Sequence, residues 1–343
     1  MNPQDQAPVA STVPVKSQQL IGPGELISSS VTFLKKNWKI LAGIPASLFV
    51  CGFIAVLLLA LCAASGLLPL VIIFTILYVA VIIVGGLTVY SAMINAIHRL
   101  STETSPSLTI LGQVKFGIKL FWPFLLLMII TGLVTYGSFA LFVIPGFIVA
   151  VYISTSLFTF IIDGKRGFGA LLESCSLVKG RWLATFGRIA LLALLCFGVM
   201  FGAQITLMLL SILLDVMFPP AVTGIIMAVV IFAVEILMIS FAMIYMYKLY
   251  VDLKNTRLPD ASAASMKPWL IASFILGIIV VLVYIFVVIP LFITGFSQLS
   301  QSSRAQQQML NDPKFKAQMQ LLQQQMQAAQ QNSSTNSPNP IQQ

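Results

Sequence analysis

The chain has 343 residues, of which 58% are hydrophobic and only 8% are charged. A water-facing surface cannot be built from so few charges, so the composition excludes a soluble domain. With one histidine and four scattered cysteines, the sequence offers no convergent ligand set, and we expect neither a metal centre nor a cofactor. The net charge of +9 follows from membrane threading and contact with anionic lipid heads, so a nucleic-acid partner is not expected.

Residues 1–23 are polar and contain proline, which predicts a disordered segment without a cleavable secretion signal. Beyond them lie apolar runs close to the roughly 20 residues that a helix needs to cross a hydrocarbon core of about 30 Å. The sequence therefore predicts an all-α fold, a polytopic transmembrane helical bundle with seven spans. The spans are 38–63, 67–97, 120–143, 145–162, 183–214, 220–247 and 269–294.

The connections between these spans fall into two groups. Three are tight, contain helix-breaking residues and carry no lysine or arginine: Gly66, Pro145-Gly146 and Pro219-Pro220. The segment before span one and the other three connections, together with Lys39 and Arg188 just inside the spans that follow, hold sixteen of the nineteen cations, and such residues accumulate on the cytoplasmic side. We therefore expect a cytoplasmic N-terminus, three hairpins plus one last helix, and an external C-terminal tail. The span 145–162 is the shortest and the most prone to be re-entrant.

All four tryptophans stand two or three residues after a lysine and close to the start of an apolar run. Tryptophan and cationic side chains concentrate where hydrocarbon meets water. We expect these residues to anchor the cytoplasmic ends of the spans: Trp38, Trp122, Trp182 and Trp269.

Short amphipathic stretches precede spans one, three and five, and each is expected to lie flat among the lipid headgroups. In the second, Gln113, Lys115 and Lys119 oppose an apolar face. In the third, Phe168, Leu171, Leu172, Cys175 and Val178 form the apolar face, and Glu173, Ser174, Ser176 and Lys179 form the polar one.

The first and third stretches match one another at a constant offset of 144 residues. The matching residues are Ser30, Lys35, Trp38 and Gly43 in the first copy and Ser174, Lys179, Trp182 and Gly187 in the second. A duplicated unit explains the match. Common solvation demands on amphipathic helices explain it equally well.

One stretch carries a family resemblance. Its motifs are a turn at Ile144, Pro145 and Gly146, a loop at Asp163-Gly164, and the run Ala170-Leu171-x-x-Ser174-x-x-Leu177-Val178-Lys179-Gly180. Over about 40 residues these motifs resemble the bacterial integral-membrane family named after the membrane domain of glycerophosphoryl diester phosphodiesterase. The resemblance implies a helical bundle in a bacterial plasma (inner) membrane. Glu173 departs from the family pattern, which has a basic residue there.

The resemblance extends loosely over 24–250, which we interpret as a six-span membrane domain. A cytoplasmic linker (251–268), a seventh helix (269–296) and a glutamine-rich tail (297–343) would follow. No phosphodiesterase domain is expected, because such an enzyme needs several histidines and the chain has only His98. The tail predicts a short amphipathic helix after Asp312-Pro313, suited to a protein partner or to self-association, and then a disordered end.

Glu235 is the one carboxylate deep inside a predicted span, where ionisable groups are costly and functional sites are common. Together with Gln204 and Asn95 it could line a path for a proton or a small solute. A glutamic acid hydrogen-bonded between helices is the alternative, and the more frequent use. The pair Gly198 and Gly202 permits close helix approach, either within the monomer, which we expect, or at a dimer seam.

The sequence thus favours a non-catalytic multi-pass membrane protein, either a scaffold or a lipid-interacting module. The alternative is a transporter or permease that works through Glu235. A membrane-embedded enzyme ranks last, because no span contains paired aspartates, a serine and histidine arrangement or metal ligands.

Overall fold

The computed structural model describes residues 20–64, 66–103, 107–258, 264–291, 294, 315 and 326. These residues are almost entirely helical and include no β-strand. The helices are α1 Pro23–Ala64, α2 Leu68–Thr102, α3 Ile110–Leu141, α4 Val143–Ile153, α5 Ser156–Ile162, α6 Phe168–Val178, α7 Trp182–Met217, α8 Pro220–Asn255 and α9 Lys267–Val283.

Seven apolar helical stretches of the described chain are long enough to cross a membrane, which confirms the predicted all-α polytopic bundle. The fourth is α4 and α5 taken together, Val143–Ile162. A turn at Ser154 and Thr155 separates these two helices, and half of this stretch is buried inside the protein. The predicted span 145–162 is therefore broken in its middle and packed more deeply than the others.

The chain divides into two compact units, residues 1–278 and 279–343. The second unit begins with the end of α9 and continues as a π-helical turn, Tyr284–Val288. Most of its described apolar side chains are exposed, Phe286 among them, and Val280 is half-buried. The predicted amphipathic helix of the tail and the predicted disordered end lie outside the described residues, except for Phe315 and Met326, which are helical.

Helix α1 contains a break that separates its first part, residues 23–36, from its membrane part. Asn37 leaves the helical region, with φ −117° and ψ 18°, and its side-chain Nδ2 donates to the Phe33 carbonyl at 3.1 Å. The amphipathic stretch predicted before span one is therefore a helical arm of its own. We call residues 23–36 the leading arm.

The first unit has its core in the halves of the helices that the charge pattern assigns to the cytoplasmic side. There α1 packs on α2 and α8, while α7 packs on α8. The Ser240 hydroxyl of α8 donates to the Leu41 carbonyl of α1 at 2.9 Å, and the Tyr245 hydroxyl of α8 donates to the Arg188 carbonyl of α7 at 3.1 Å. The opposite halves expose apolar side chains, as lipid-facing helices do.

The amphipathic stretch predicted before span three does not form a separate helix, because α3 runs without a break from Ile110. Its apolar Leu111 is 64% exposed, whereas Gln113 is 3% exposed. The expected orientation of Gln113 toward water is wrong. Gln113 faces α2, where the Asn95 side-chain Nδ2 donates to its Oε1 at 2.8 Å.

Helices α3 and α9 cross at two glycines. A β-carbon added to Gly137 would collide with the Ser273 backbone carbonyl, and one added to Gly277 would collide with the Leu133 backbone. Because backbone atoms cannot swing aside as a side chain can, any larger residue at this crossing must push the helices apart. Gly132, on the same helix α3, has open space around its β-carbon position.

We expect Gly137→Ala to lower the free energy of unfolding by about 1–3 kcal/mol, the usual cost of overpacking. The measurement is thermal or denaturant unfolding of the full chain in detergent micelles. Gly132→Ala is the matched control and should be neutral or slightly stabilising, because alanine favours a helix interior where nothing obstructs its methyl group. Equal behaviour of the two variants would contradict the close crossing.

Candidate functional site

The polar residues of the first unit concentrate around the last turns of α8. Asp163, the residue directly after α5, accepts a hydrogen bond from the Tyr250 hydroxyl at 2.8 Å and forms an ion pair with Lys254. The Asp163 side chain is only 14% exposed. The Tyr250 ring also stacks on Phe158 of α5 with 5.6 Å between ring centroids. The Asp163-Gly164 loop is therefore fixed to α8.

Helix α6 lies across the end of α8. The Arg257 guanidinium donates to Glu173 Oε1 at 2.7 Å and to the Ser176 hydroxyl at 2.9 Å. Glu173, which departs from the family pattern, is thus the ion-pair partner of a cation just beyond α8. An acidic residue suits this position because its neighbour is Arg257.

The motif residues that close α6 form the third contact with the end of α8. Lys179 leaves the helix in an extended conformation, and Gly180 follows with φ 79°. A β-carbon on Gly180 would also lie 2.8 Å from the Leu258 side chain, so both the backbone angle and the space favour glycine. The next residue, Arg181, donates to the Thr256 hydroxyl.

Ser174 is the buried centre of the contact between α6 and the α4–α5 turn. Its hydroxyl pairs with the Thr155 hydroxyl at 2.8 Å, accepts from the Thr155 backbone N–H at 3.2 Å and donates to the Tyr152 carbonyl at 2.7 Å. One turn away, the Thr159 hydroxyl donates to the Ala170 carbonyl at 3.0 Å. Ser174 therefore satisfies backbone groups that the break between α4 and α5 leaves open.

This arrangement corrects the predicted orientation of the third amphipathic stretch. Ser174 and Ser176, assigned to its polar face, are 0% and 4% exposed. Cys175 lies in the core beside them, and burial raises the pKa of its thiol to about 12. A thiol with such a pKa stays protonated at neutral pH, so Cys175 acts as a packing residue.

The turn at Ile144, Pro145 and Gly146 forms the first turn of α4. Gly146 is buried, and a β-carbon there would collide with the Phe139 ring of α3. Ile144, by contrast, is 73% exposed. This part of the family motif therefore allows α4 to fold back closely on α3.

The three residues considered for transport lie in different surroundings. Asn95 is bonded to Gln113, Gln204 is exposed on α7, and Glu235 is half-buried on α8. No hydrogen bond or ion pair joins them among the residues that the structure describes, and none lines the apolar cavities at α1–α2–α3, α1–α8 or α2–α3. Gly198 and Gly202 have open space around their β-carbon positions, so the expected packing within the monomer is wrong.

Three of the four tryptophans have the exposure expected of interfacial anchors. Trp38, Trp122 and Trp269 are 54%, 75% and 63% exposed. Trp182 differs, because its ring stacks on Phe186 and its indole N–H donates to the Ile148 carbonyl of α4 at 3.1 Å. The Trp182 side chain therefore contacts other groups of the same chain, whereas the side chains of the other three tryptophans are exposed.

Sequence reasoning did not predict how the start of the described chain is bonded to the bundle. The Ile21 N–H donates to Asp252 Oδ2 at 2.9 Å, and the Ile21 carbonyl accepts two bonds from Arg188, at 3.1 and 2.6 Å. Ile21 belonged to the segment predicted to be disordered, 1–23, whose residues 1–19 are not described. No local signal pointed to this contact, since its partners are 167 and 231 residues away.

Comparison with models of protein families, with curated proteins and with solved structures gave no match for this chain. What the site can do must therefore be argued from its side chains. Within the described ranges, no group of three or more histidine, cysteine, aspartate or glutamate residues is placed to hold a metal ion. The acidic residues around the end of α8 are bonded to cations, hydroxyls or backbone N–H groups that tie helices together.

We expect Asp163→Ala to lower the free energy of unfolding by about 1–3 kcal/mol, because it removes the shared partner of Tyr250 and Lys254 from a shielded position. Thermal unfolding in detergent measures this loss. Glu103→Ala serves as control, since Glu103 pairs with Arg99 one turn away on an exposed helix end and should matter little. A larger effect at Glu103 than at Asp163 would contradict the structural role of the loop.

Proposed function

We propose that this chain is a non-catalytic membrane module that binds anionic lipid headgroups at its cytoplasmic face. Its resemblance to the phosphodiesterase membrane-domain family supports a bacterial plasma membrane as its location. The polar groups around α8 support a structural use, since they bond mainly to one another. The observation that carries lipid binding is a cationic surface at the junction between the leading arm and the membrane part of α1.

Lys35, Lys36 and Lys39 surround the break at Asn37, and all three are exposed beside Trp38. No acidic side chain lies within ion-pair distance of them among the described residues, whereas Lys254, Arg257 and Arg99 are paired elsewhere. We call Lys35, Lys36, Trp38 and Lys39 the basic collar.

The collar has the chemistry of a headgroup site. Each lysine near an anionic membrane surface contributes about 1 kcal/mol of attraction, and an indole ring prefers the layer of glycerol and ester groups just below. Lys248 of α8 adds a further cation nearby, with its Nζ 5.6 Å from the centroid of the Phe33 ring. The leading arm would hold these groups at one depth, because its buried Leu26 and Ser30 fix it against the core.

Two further properties belong to the same proposal. The basic segments lie inside the cell and the tight turns outside, in accordance with the distribution of lysine and arginine. The tail would lie outside and offer its amphipathic helix to a protein partner or a second tail. The alternative of a transporter has no supporting contact among Glu235, Gln204 and Asn95.

We expect replacement of Lys35, Lys36 and Lys39 by glutamine to weaken the stabilisation that anionic lipid gives the protein. The measurement is the melting temperature of the full chain in nanodiscs of phosphatidylcholine, with and without phosphatidylglycerol, at low and high salt. The unmodified chain should be stabilised by phosphatidylglycerol at low salt, and the triple variant should lose most of that gain.

The matched control replaces three other exposed lysines by glutamine: Lys115, Lys119 and Lys165. It removes the same charge from another part of the surface. An equal loss in both triple variants would leave only a general charge effect and would refute a site at the collar. A gain from phosphatidylglycerol that survives in the collar variant would refute it as well.

The proposed threading predicts the labelling of two single cysteines in an otherwise cysteine-free chain. Ser28→Cys, exposed on the leading arm, should react with a membrane-impermeant maleimide only after the cells are opened. Met217→Cys, 71% exposed at the end of α7, should react in intact cells. The reverse pattern would overturn the orientation and leave the lipid experiment unaffected.

A further inference from the structure

Two parts of the chain share one backbone plan. The leading arm is followed by Asn37 with φ −117° and ψ 18°. The three residues between α6 and α7 end with Arg181, which has φ −134° and ψ 20°. The two residues are 144 positions apart, which is the offset at which the sequences of the two segments match. A tryptophan starts the next helix in both cases. Solvation alone does not require the same non-helical conformation directly before the tryptophan, so the structure favours duplication.

The burial of matched positions agrees with this offset. Leu26 and Ala170 are 1% and 0% exposed, and Ser30 and Ser174 are both 0% exposed. Further along, Leu41 and Thr185 are both 0% exposed. These three positions therefore face inward in both copies, whereas other matched positions differ, as exposed Thr32 and buried Ser176 do.

The second long helices of the two copies also match. Ala92, Met93 and Ile94 of α2 correspond to Ala242, Met243 and Ile244 of α8 at an offset of 150 residues. Five of these six residues are buried. The copies are thus the leading arm with α1 and α2, and α6 with α7 and α8. Helices α3, α4 and α5 lie between them in the sequence.

Within the chain, the two copies meet where α1 packs on α8. The Phe49 and Phe232 rings lie 5.0 Å apart between centroids. Phe53 of α1 and Val229 of α8 line the same apolar groove beside them, a cavity of about 580 Å³. This contact joins α1, the first long helix of one copy, to α8, the second long helix of the other copy.

The other two long helices are α7 and α2, and their matching faces are exposed. At the offset of 144, Phe53 corresponds to Phe197 of α7, which is 65% exposed, and Ile54 corresponds to Gly198, which has no atom near its β-carbon position. At the offset of 150, Val229 corresponds to Val79 of α2, which is 48% exposed. Near Val79 on α2, Ile83 matches Ala233 of α8 and Gly86 matches Ile236. Ile83 and Gly86 line an apolar groove between α2 and α3.

We propose that a second molecule of this chain covers these faces. In this assembly α7 of each molecule packs against α2 of the other molecule, in the groove beside α3. The contact repeats between chains the pairing that α1 and α8 make within the chain. Because α7 of each molecule contacts α2 of the other, the interface is isologous, and the assembly is a two-fold symmetric dimer of four related units. Gly198 and Gly202 allow the close helix approach that such contacts use within membranes.

Cysteine cross-linking in membranes tests this assembly with the full chain. Two differently tagged chains, one carrying Phe197→Cys and one Val79→Cys, are co-expressed in a background in which the native cysteines are replaced by alanine. Oxidation or a short bis-maleimide should give a product of twice the monomer mass that carries both tags. Unmodified chains with a fluorescent tag should bleach in two steps when single complexes are observed.

The matched control pairs Phe197→Cys with Leu77→Cys, since Leu77 is 53% exposed and lies two residues from Val79 on another side of α2. This pair should not cross-link. Three results overturn the proposal: equal products from both pairs, a dominant product from Phe197→Cys alone, which would mean that α7 pairs with α7, or single-step bleaching of the unmodified chain. The collar experiment does not depend on any of them.

Discussion

A membrane bundle must pair its polar groups within the protein, because hydrocarbon offers them no hydrogen bonds. In this chain the second half of α8 and the residues just after it supply several of these contacts. Tyr245 bonds α7, Tyr250 holds the loop after α5, and Arg257 holds α6. Because these contacts come from α8 and the residues directly after it, they fix the positions of α7, α6 and the loop after α5 relative to one another. The packing of this half of the bundle therefore depends on α8, whereas the opposite half exposes apolar side chains.

The spans could be predicted from the sequence because the signals are local. Pro220 was the predicted start of the sixth span and is the first residue of α8. The predicted end, 247, was too early, since α8 continues to Asn255. The cations beyond it were assigned only to the cytoplasmic side, whereas in the structure Lys248 lies over the Phe33 ring and Lys254 pairs with Asp163. Their partners come from distant parts of the chain, which hydropathy does not report.

The candidate site was less predictable for the same reason. Periodicity correctly made the stretch around Ser174 a helix, yet it assigned Ser174 to water because hydroxyls are usually exposed. The break between α4 and α5 leaves backbone groups that need partners, and Ser174 supplies them. Gln113 was misplaced likewise, since Asn95 of α2 is its partner. A polar face on a helix predicts a need for hydrogen bonds, and only the fold decides whether water or protein meets it.

The two matched segments separate what a sequence pattern determines from what its surroundings determine. In both, a lysine, a non-helical residue and a tryptophan follow a buried serine, and both give a helix that breaks and restarts. The surroundings then differ: the Trp182 indole N–H binds the Ile148 carbonyl of α4, whereas Trp38 is 54% exposed. The pattern thus encodes the backbone break, and the inserted helices α3 to α5 decide which tryptophan remains for lipid. The proposed headgroup site accordingly lies in the first copy, where the Trp38 ring is exposed.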